Sequence, residues 1–202
     1  MLGFVLLGLS GKAAAQINLY VGGGFHGNYS WLRGDEHTFE PGFGGGLSFI
    51  YWEYEYWFVK AGIDYMKKSS SMLDYPEEYE VPIESPDDKV QISYTEHLIG
   101  IPLTVYFRPL ESGNNALLVT GTMEMMAVAK LQEHTEEYGD VVLKGGDAKT
   151  WTKTNIGIGA GYQRMLQKHM YLNAYPSFQV DIRGARAYNS ILFTVELIFG
   201  VY

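Results

Sequence analysis

The sequence predicts an all-β fold, an eight-stranded antiparallel up-and-down transmembrane β-barrel, and three observations carry that expectation. From Ile191 to Val201 every second residue is apolar: Ile191, Phe193, Val195, Leu197, Phe199 and Val201 share one face of a strand. The other face mixes Ser190, Leu192, Thr194, Glu196, Ile198 and Gly200 with Tyr202. Side chains alternate across a strand with a period of two, so one face is uniformly apolar and the other is not. The same alternation recurs upstream, in segments long enough for the about 9–11 tilted residues of a membrane strand. The connections between them take turns in length, as in barrels with tight periplasmic turns and longer external loops. In such a barrel the apolar face meets lipid and the mixed face lines the lumen.

The first strand covers about 17–29, with Leu19, Val21, Gly23, Phe25 and Tyr29 outward and Tyr20, His26 and Asn28 inward. The second, about 41–52, turns Phe43, Leu47, Phe49 and Tyr51 out and Gly42, Gly44, Gly46 and Ser48 in. The third, about 56–68, points Trp57, Val59, Ala61, Ile63 and Tyr65 out and Lys60, Gly62, Asp64 and Lys68 in. The fourth, about 90–107, places Ile99, Ile101, Leu103, Val105 and Phe107 outside. The fifth, about 116–130, has Leu117, Val119, Met123, Met125 and Ala127 out, with Thr120, Thr122, Glu124 and Lys130 in. The sixth, about 151–165, has Ile156, Ile158, Ala160 and Tyr162 out and Asn155, Gly157, Gly159, Gly161 and Gln163 in. The seventh, about 170–183, has Met170, Leu172, Ala174, Phe178, Val180 and Ile182 out and Tyr171, Asn173, Tyr175, Ser177, Gln179 and Asp181 in. The eighth is the strand described first. Short turns at 53–55, 108–115, 166–169 and 184–189 and longer connections at 30–40, 69–89 and 131–150 join them. An even strand count puts both termini in the periplasm.

Residues 1–15 are expected to be a signal peptide. Leu2 to Leu9 is an apolar run too short to span a bilayer, and Ala13-Ala14-Ala15-Gln16 fits a small-residue cleavage site, leaving 16–202 as the barrel. The absence of Cys excludes disulfides, thiolate metal sites and a Cys nucleophile. A net charge of −8 argues against general nucleic-acid binding.

Pro102 and Pro176 fall inside strands, where proline removes a ladder donor, and are expected at bulges or non-bonded spots near a rim. Inward glycines fit a small barrel whose interior has little room. The competing folds are a soluble lipocalin-type barrel and a β-sandwich, in which the apolar face would be the core. Against them stand the mixed inward faces, the last strand's run to Tyr202 and two groups of rim aromatics. Those groups are Trp52, Tyr56 and Trp57 at one end and Tyr29, Trp31 and Trp151 at the other, placed like headgroup girdles.

The segment Leu98-Ile99-Gly100-Ile101-Pro102-Leu103 resembles the Y-L-E-I-P-L signature of a Bacteroidetes-type outer-membrane β-barrel family, the PorT-like or "porin family" barrels. Leu98 and Gly100 depart from it, standing where the family has Tyr and Glu. The resemblance extends over about Gln16 to Tyr202. It implies an eight-stranded barrel in the cell outer membrane, with a role in transport or protein secretion as one reading.

Eight strands enclose a lumen that side chains just fill, so an open pore is not expected. Inward Lys60, Asp64, Glu96, Glu124, Lys153, Arg164, Asp181, Arg183 and Glu196 are predicted to form a lumenal charge network, because an unpaired buried charge costs several kcal/mol. The connection at 69–89 is acidic: Asp74, Glu77, Glu78, Glu80, Glu84, Asp87 and Asp88 stand against Lys89 alone. Glu133, Glu136, Glu137, Asp140 and Asp147 add to this end. It reads either as a solvated, repelling surface or as a contact for divalent cations or a basic partner; no EF-hand spacing is present. His26 with Ser30, and His97 with Ser93 and Glu96, are the pairings an enzyme could use, but sequence spacing does not place a nucleophile beside its base. Gly22–Gly24 and Gly44–Gly46 lack the helix and Lys-Ser/Thr of a phosphate loop.

The reading that results is a non-enzymatic structural or interaction barrel without cofactor. The alternatives are a transport or secretion accessory and a lipid A-modifying enzyme. Its expected partners are outer-membrane lipid, lipopolysaccharide and, during insertion, the barrel-assembly machinery.

Overall fold

Alternating side chains and mutual backbone pairing draw the chain into antiparallel strands. The computed structural model describes residues 19–33, 37–54, 56–74, 90–135, 139–143, 152–183 and 187–201. The strands are β1 (Leu19–Leu32), β2 (His37–Tyr54), β3 (Trp57–Asp74), β4 (Val90–Phe107), β5 (Glu111–Ser112), β6 (Asn115–Thr135), β7 (Gly139–Leu143), β8 (Thr152–Gln167), β9 (Met170–Arg183) and β10 (Tyr188–Val201). Each long strand pairs with its neighbours in sequence. β1 pairs with β10, and β4 with β6, so the eight long strands close on themselves with no free edge along the wall. The expected signal peptide and Trp151 lie outside the described residues.

The period-two faces hold. On the outer wall Leu47 is 76% exposed and Ile158 72%, whereas inward Lys68 and Asn173 are fully buried. Ile191, Phe193, Val195, Leu197, Phe199 and Val201 all stand on the outer face of β10. An apolar exterior around a polar interior is the inverse of a soluble protein and is the arrangement of a transmembrane barrel. The soluble barrel and the sandwich are thereby set aside.

Four differences from the sequence reading have physical causes. At the end carrying the long connections, the strands run further than predicted. Ser69, Ser70 and Ser71 look like loop by composition, yet they continue β3 by pairing across to β4. Ser69 Oγ and Thr95 Oγ1 lie 3.2 Å apart, and Ser71 and Ser93 hydroxyls 2.9 Å. Asp74 therefore ends β3 instead of lying in the loop, and β7 occupies part of the connection expected at 131–150.

Second, Pro102 and Pro176 lie at mid-strand, away from either rim, and neither causes a bulge. β4 and β3 skip the pairing around Pro102 but resume in the same register, as β9 and β8 do around Pro176. Third, Trp52 faces the lumen, in phase with Ile50, and is not part of a rim girdle. Tyr56 and Trp57 do stand exposed at that rim, and Tyr29 is exposed on the outer face near the other. Fourth, Lys130 points outward. A register shift at His97/Leu98 inserts Ala129, so Leu98 pairs with Val128 but His97 with Lys130. One extra residue moves everything beyond it to the opposite face.

Candidate functional site

Among the described residues the lumen holds nearly all of the buried chemistry, and β3 passes through its layers in order. Climbing from the end where Leu19 of β1 pairs with Val201 of β10, its inward residues are Phe58, Lys60, Gly62, Asp64, Met66 and Lys68. Phe58, Lys60, Asp64, Met66 and Lys68 each belong to a distinct stratum.

The lowest stratum is an aromatic plug of Tyr20, Ile50, Trp52, Phe58, Tyr106, Leu118, Tyr175 and Ile198. Trp52 stacks on Phe58 at 4.6 Å between ring centroids and Phe58 on Tyr106 at 4.4 Å. The Arg108 guanidinium lies 4.8 Å over Trp52, closing the plug toward the turns with a cation–π contact.

Above it, Glu196 is the acceptor around which the next layer is built. Lys60 Nζ donates to Oε1. Oε2 accepts from the Tyr106 hydroxyl at 2.7 Å and from Asn173 Nδ2 at 3.3 Å. Gln163 in turn donates to Asn173 at 2.9 Å, and the Tyr106 and Tyr175 hydroxyls lie 2.9 Å apart. A buried carboxylate with three donors, one of them cationic, meets the condition under which a buried charge is tolerable.

A cavity of about 50 Å³ follows, bordered by His26, Asp64, Thr104, Thr122, Glu124, Gln179 and Glu196 among others. His26 Nε2 lies 3.8 Å from Asp64 Oδ2. Asn155 donates to Glu124 at 3.3 Å and to Gln179 at 3.0 Å. Space for these groups comes from bare positions on the adjoining strand. His26 sits opposite Gly44, where a Cβ would collide with the imidazole. Glu196 sits opposite Gly24, where a Cβ would come within 2.9 Å of its Cγ.

Met66, Leu98, Met126 and Leu192 then form an apolar layer. Beyond it runs a chain of alternating charge. Lys68 donates to Asp181 Oδ1 at 2.9 Å, Lys153 Nζ lies 3.7 Å from Asp181 Oδ2, and Lys153 donates to Glu96. The Tyr188 backbone N–H adds a bond to Asp181 Oδ2 at 3.2 Å. Both lysines lie over the Tyr188 ring, at 5.8 and 4.5 Å. Leu32, Tyr94 and Tyr188 cap this end.

Of the residues named from sequence, Lys60, Asp64, Glu96, Glu124, Lys153, Asp181 and Glu196 thus converge in the lumen in two separate groups. Arg164 and Arg183 do not join them. Arg164 shares the outward phase of Tyr162 and is exposed, and Arg183 is exposed at the end of β9. Of the acidic connection, Asp74 sits on β3, whereas Glu77, Glu78, Glu80, Glu84, Asp87 and Asp88 lie outside the described residues. Lys68, inward by its phase but outside the charge network the sequence predicts, anchors the upper chain. Tyr106 and Tyr188 join the lumen as well, and their inward phase beside Thr104 and Ser190 is the sequence signal for them.

The enzyme-like pairings are not assembled. Ser30 Oγ bonds Asn28 and Ser190, at 2.9 and 3.0 Å, and not His26. Glu96 faces the lumen, while His97 faces outward and shares a 2.7 Å hydrogen bond with the Tyr65 hydroxyl. Ser93 bonds Ser71. Among the described residues no group of three or more His, Asp or Glu side chains is arranged to hold a metal.

No family model matches the chain, and no curated protein matches it in sequence. Solved structures do share its architecture. Neisserial surface protein A superposes with a TM-score of 0.56 at 10% identity, over 91% of this chain and 97% of that one. Ail, the attachment invasion locus protein of Yersinia pestis, gives 0.47 at 13% identity, over 91% and 99% of the two chains. The N-terminal β-barrel domain of OprF from Pseudomonas aeruginosa gives 0.47 at 12% identity, over 91% and 98%. The likeness to Neisserial surface protein A is one of fold, and it agrees with the closed eight-stranded barrel found here.

Proposed function

We propose that this chain is a small outer-membrane barrel with a filled lumen, acting as a structural or interaction protein and not as an open pore or an enzyme. The observation that carries this reading is the stack of side-chain layers along the lumen. A plug of aromatics, a hydrogen-bonded carboxylate node, an apolar layer and an ion-pair chain follow one another, and the cavity between them measures only about 50 Å³. That space is on the scale of a few water molecules. A solute crossing the barrel would have to break Lys60–Glu196 and the Lys68–Asp181–Lys153–Glu96 chain, each buried and costly to open. The apolar exterior supports a bilayer as its solvent, and partners then meet the molecule at its two ends or in the plane of the membrane. The transport or secretion reading and the lipid A-modifying reading rest on no assembled site among the described residues.

Three measurements test this. The unboiled protein should migrate as a compact band that shifts on boiling, and cell fractionation should place it with the outer membrane. In planar bilayers it should give no steady conductance steps of porin size. Regular large steps from the folded protein would overturn the filled-lumen reading.

A further inference from the structure

The outer wall differs around the barrel. The outward faces of β1 and β10 carry no charged side chain, from Leu19 and Val201 at one end to Trp31 and Asn189 at the other, and β9 carries none from Met170 to Ile182, before the exposed Arg183 that ends it. On β3, β4 and β6 the apolar rows stop earlier. Trp57, Phe107 and Val119 form the lowest row, and Ile63, Ile101 and Met125 a higher one. Tyr65, Ile99 and Ala127 follow, and the row above them is Lys67, His97 and Lys130, in direct register across the three strands.

We propose that Lys67 and Lys130, on either side of His97, hold the phosphorylated headgroup of a lipid in the adjoining leaflet, with its acyl chains along the apolar rows beneath. This rests on the outer-membrane reading above and adds a ligand class and a site to it.

Height is the first argument. A strand rises about 3.3 Å per residue and is tilted by about 35–45°, so each residue climbs about 2.5 Å along the membrane normal. Lys67 lies ten residues beyond Trp57 on the same strand. It therefore stands about 25 Å above the lower aromatic row, the height of the apolar band of a membrane barrel. The cations sit where phosphates of the far leaflet begin.

Charge is the second. Lys67 and Lys130 flank His97 on one face, and the ion pairs among the described side chains involve neither of them. Glu40, the carboxylate on neighbouring β2, bonds Ser71. An anion between the lysines pairs two ammonium groups that no ion pair among the described side chains neutralises. Their backbones are two strand spacings apart, about 10 Å, which two lysine side chains span from either side.

Construction is the third. Without Ala129, Lys130 would point into the lumen; the bulge turns it outward into this row. The Tyr65 hydroxyl on Nδ1 at 2.7 Å and Gln132 Oε1 on Nε2 at 3.4 Å orient His97 between the lysines.

The test uses the full-length folded barrel in detergent micelles, with bound lipid counted by native mass spectrometry. The probes are bisphosphorylated lipid A and the same lipid enzymatically dephosphorylated. Wild type should retain the phosphorylated form, and millimolar inorganic phosphate should not displace it. The double variant Lys67→Gln/Lys130→Gln should lose about tenfold in retention. Lys168→Gln, an exposed lysine in the turn between β8 and β9, should lose none. All variants should keep the heat-shift band, which separates lost binding from lost fold. Equal retention by the double variant, equal retention of dephosphorylated lipid, or displacement by free phosphate overturns the site. A barrel that folds yet retains no phosphorylated lipid overturns the site alone, whereas fractionation away from the outer membrane overturns the reading beneath it.

Discussion

The inner and outer faces of the same eight strands obey opposite rules. Inside, the two central carboxylates have specific partners: Glu196 has Lys60, Tyr106 and Asn173, and Asp181 has Lys68, Lys153 and the Tyr188 N–H. Outside, Leu47, Phe49, Ile63 and Phe193 need only be apolar, because lipid adapts to whatever shape they present. Specificity therefore resides in the lumen and tolerance on the wall. One strand carries both, a single residue apart.

Substitutions can break or sharpen this contrast. Glu196→Ala strands Lys60 in a closed layer and should cost about 3–5 kcal/mol of unfolding free energy, the range for breaking a buried pair. A shift in the denaturant midpoint of the folded barrel reads it, and Lys60→Met on the same background should recover much of the loss. Next is Phe193→Lys on the outer wall. A lysine facing the bilayer interior should cost about 2–4 kcal/mol when unfolding is followed in lipid vesicles; no loss there would mean that this face does not touch hydrocarbon. Gly44→Ala removes the bare position beneath His26 and should cost about 1–3 kcal/mol by overpacking, visible as a lowered melting temperature. Smallest of all, Phe49→Leu exchanges one lipid-facing residue for another and should stay within about 0.5 kcal/mol. A large effect there would show the outer wall to be as specific as the lumen.

Much of the inner-outer contrast was legible before any coordinates. Trp57, Val59 and Ala61 alternate with Phe58 and Lys60 plainly enough to assign faces on β3, and Asp181 follows Gln179 inward in the same way. Legibility ended where a face depends on a neighbour. Lys130 keeps its inward phase in the sequence and loses it only because β6 spends Ala129 on a bulge against β4. Ser69–Ser71 have loop composition but a strand's partners. Trp52 looked like a girdle residue because rim aromatics are common, although its phase with Ile50 already pointed inward.

The sequence by itself determined the eight long strands and, short of the β6 bulge, their two faces and hence an apolar exterior, since a period of two is a property of each strand alone. Tertiary structure decided which inward residues meet. Barrel closure staggers neighbouring strands, so Lys60 on β3 reaches Glu196 on β10, and Lys68 reaches Asp181 on β9. These partners lie far apart in the chain and close in space, and no local pattern encodes that distance.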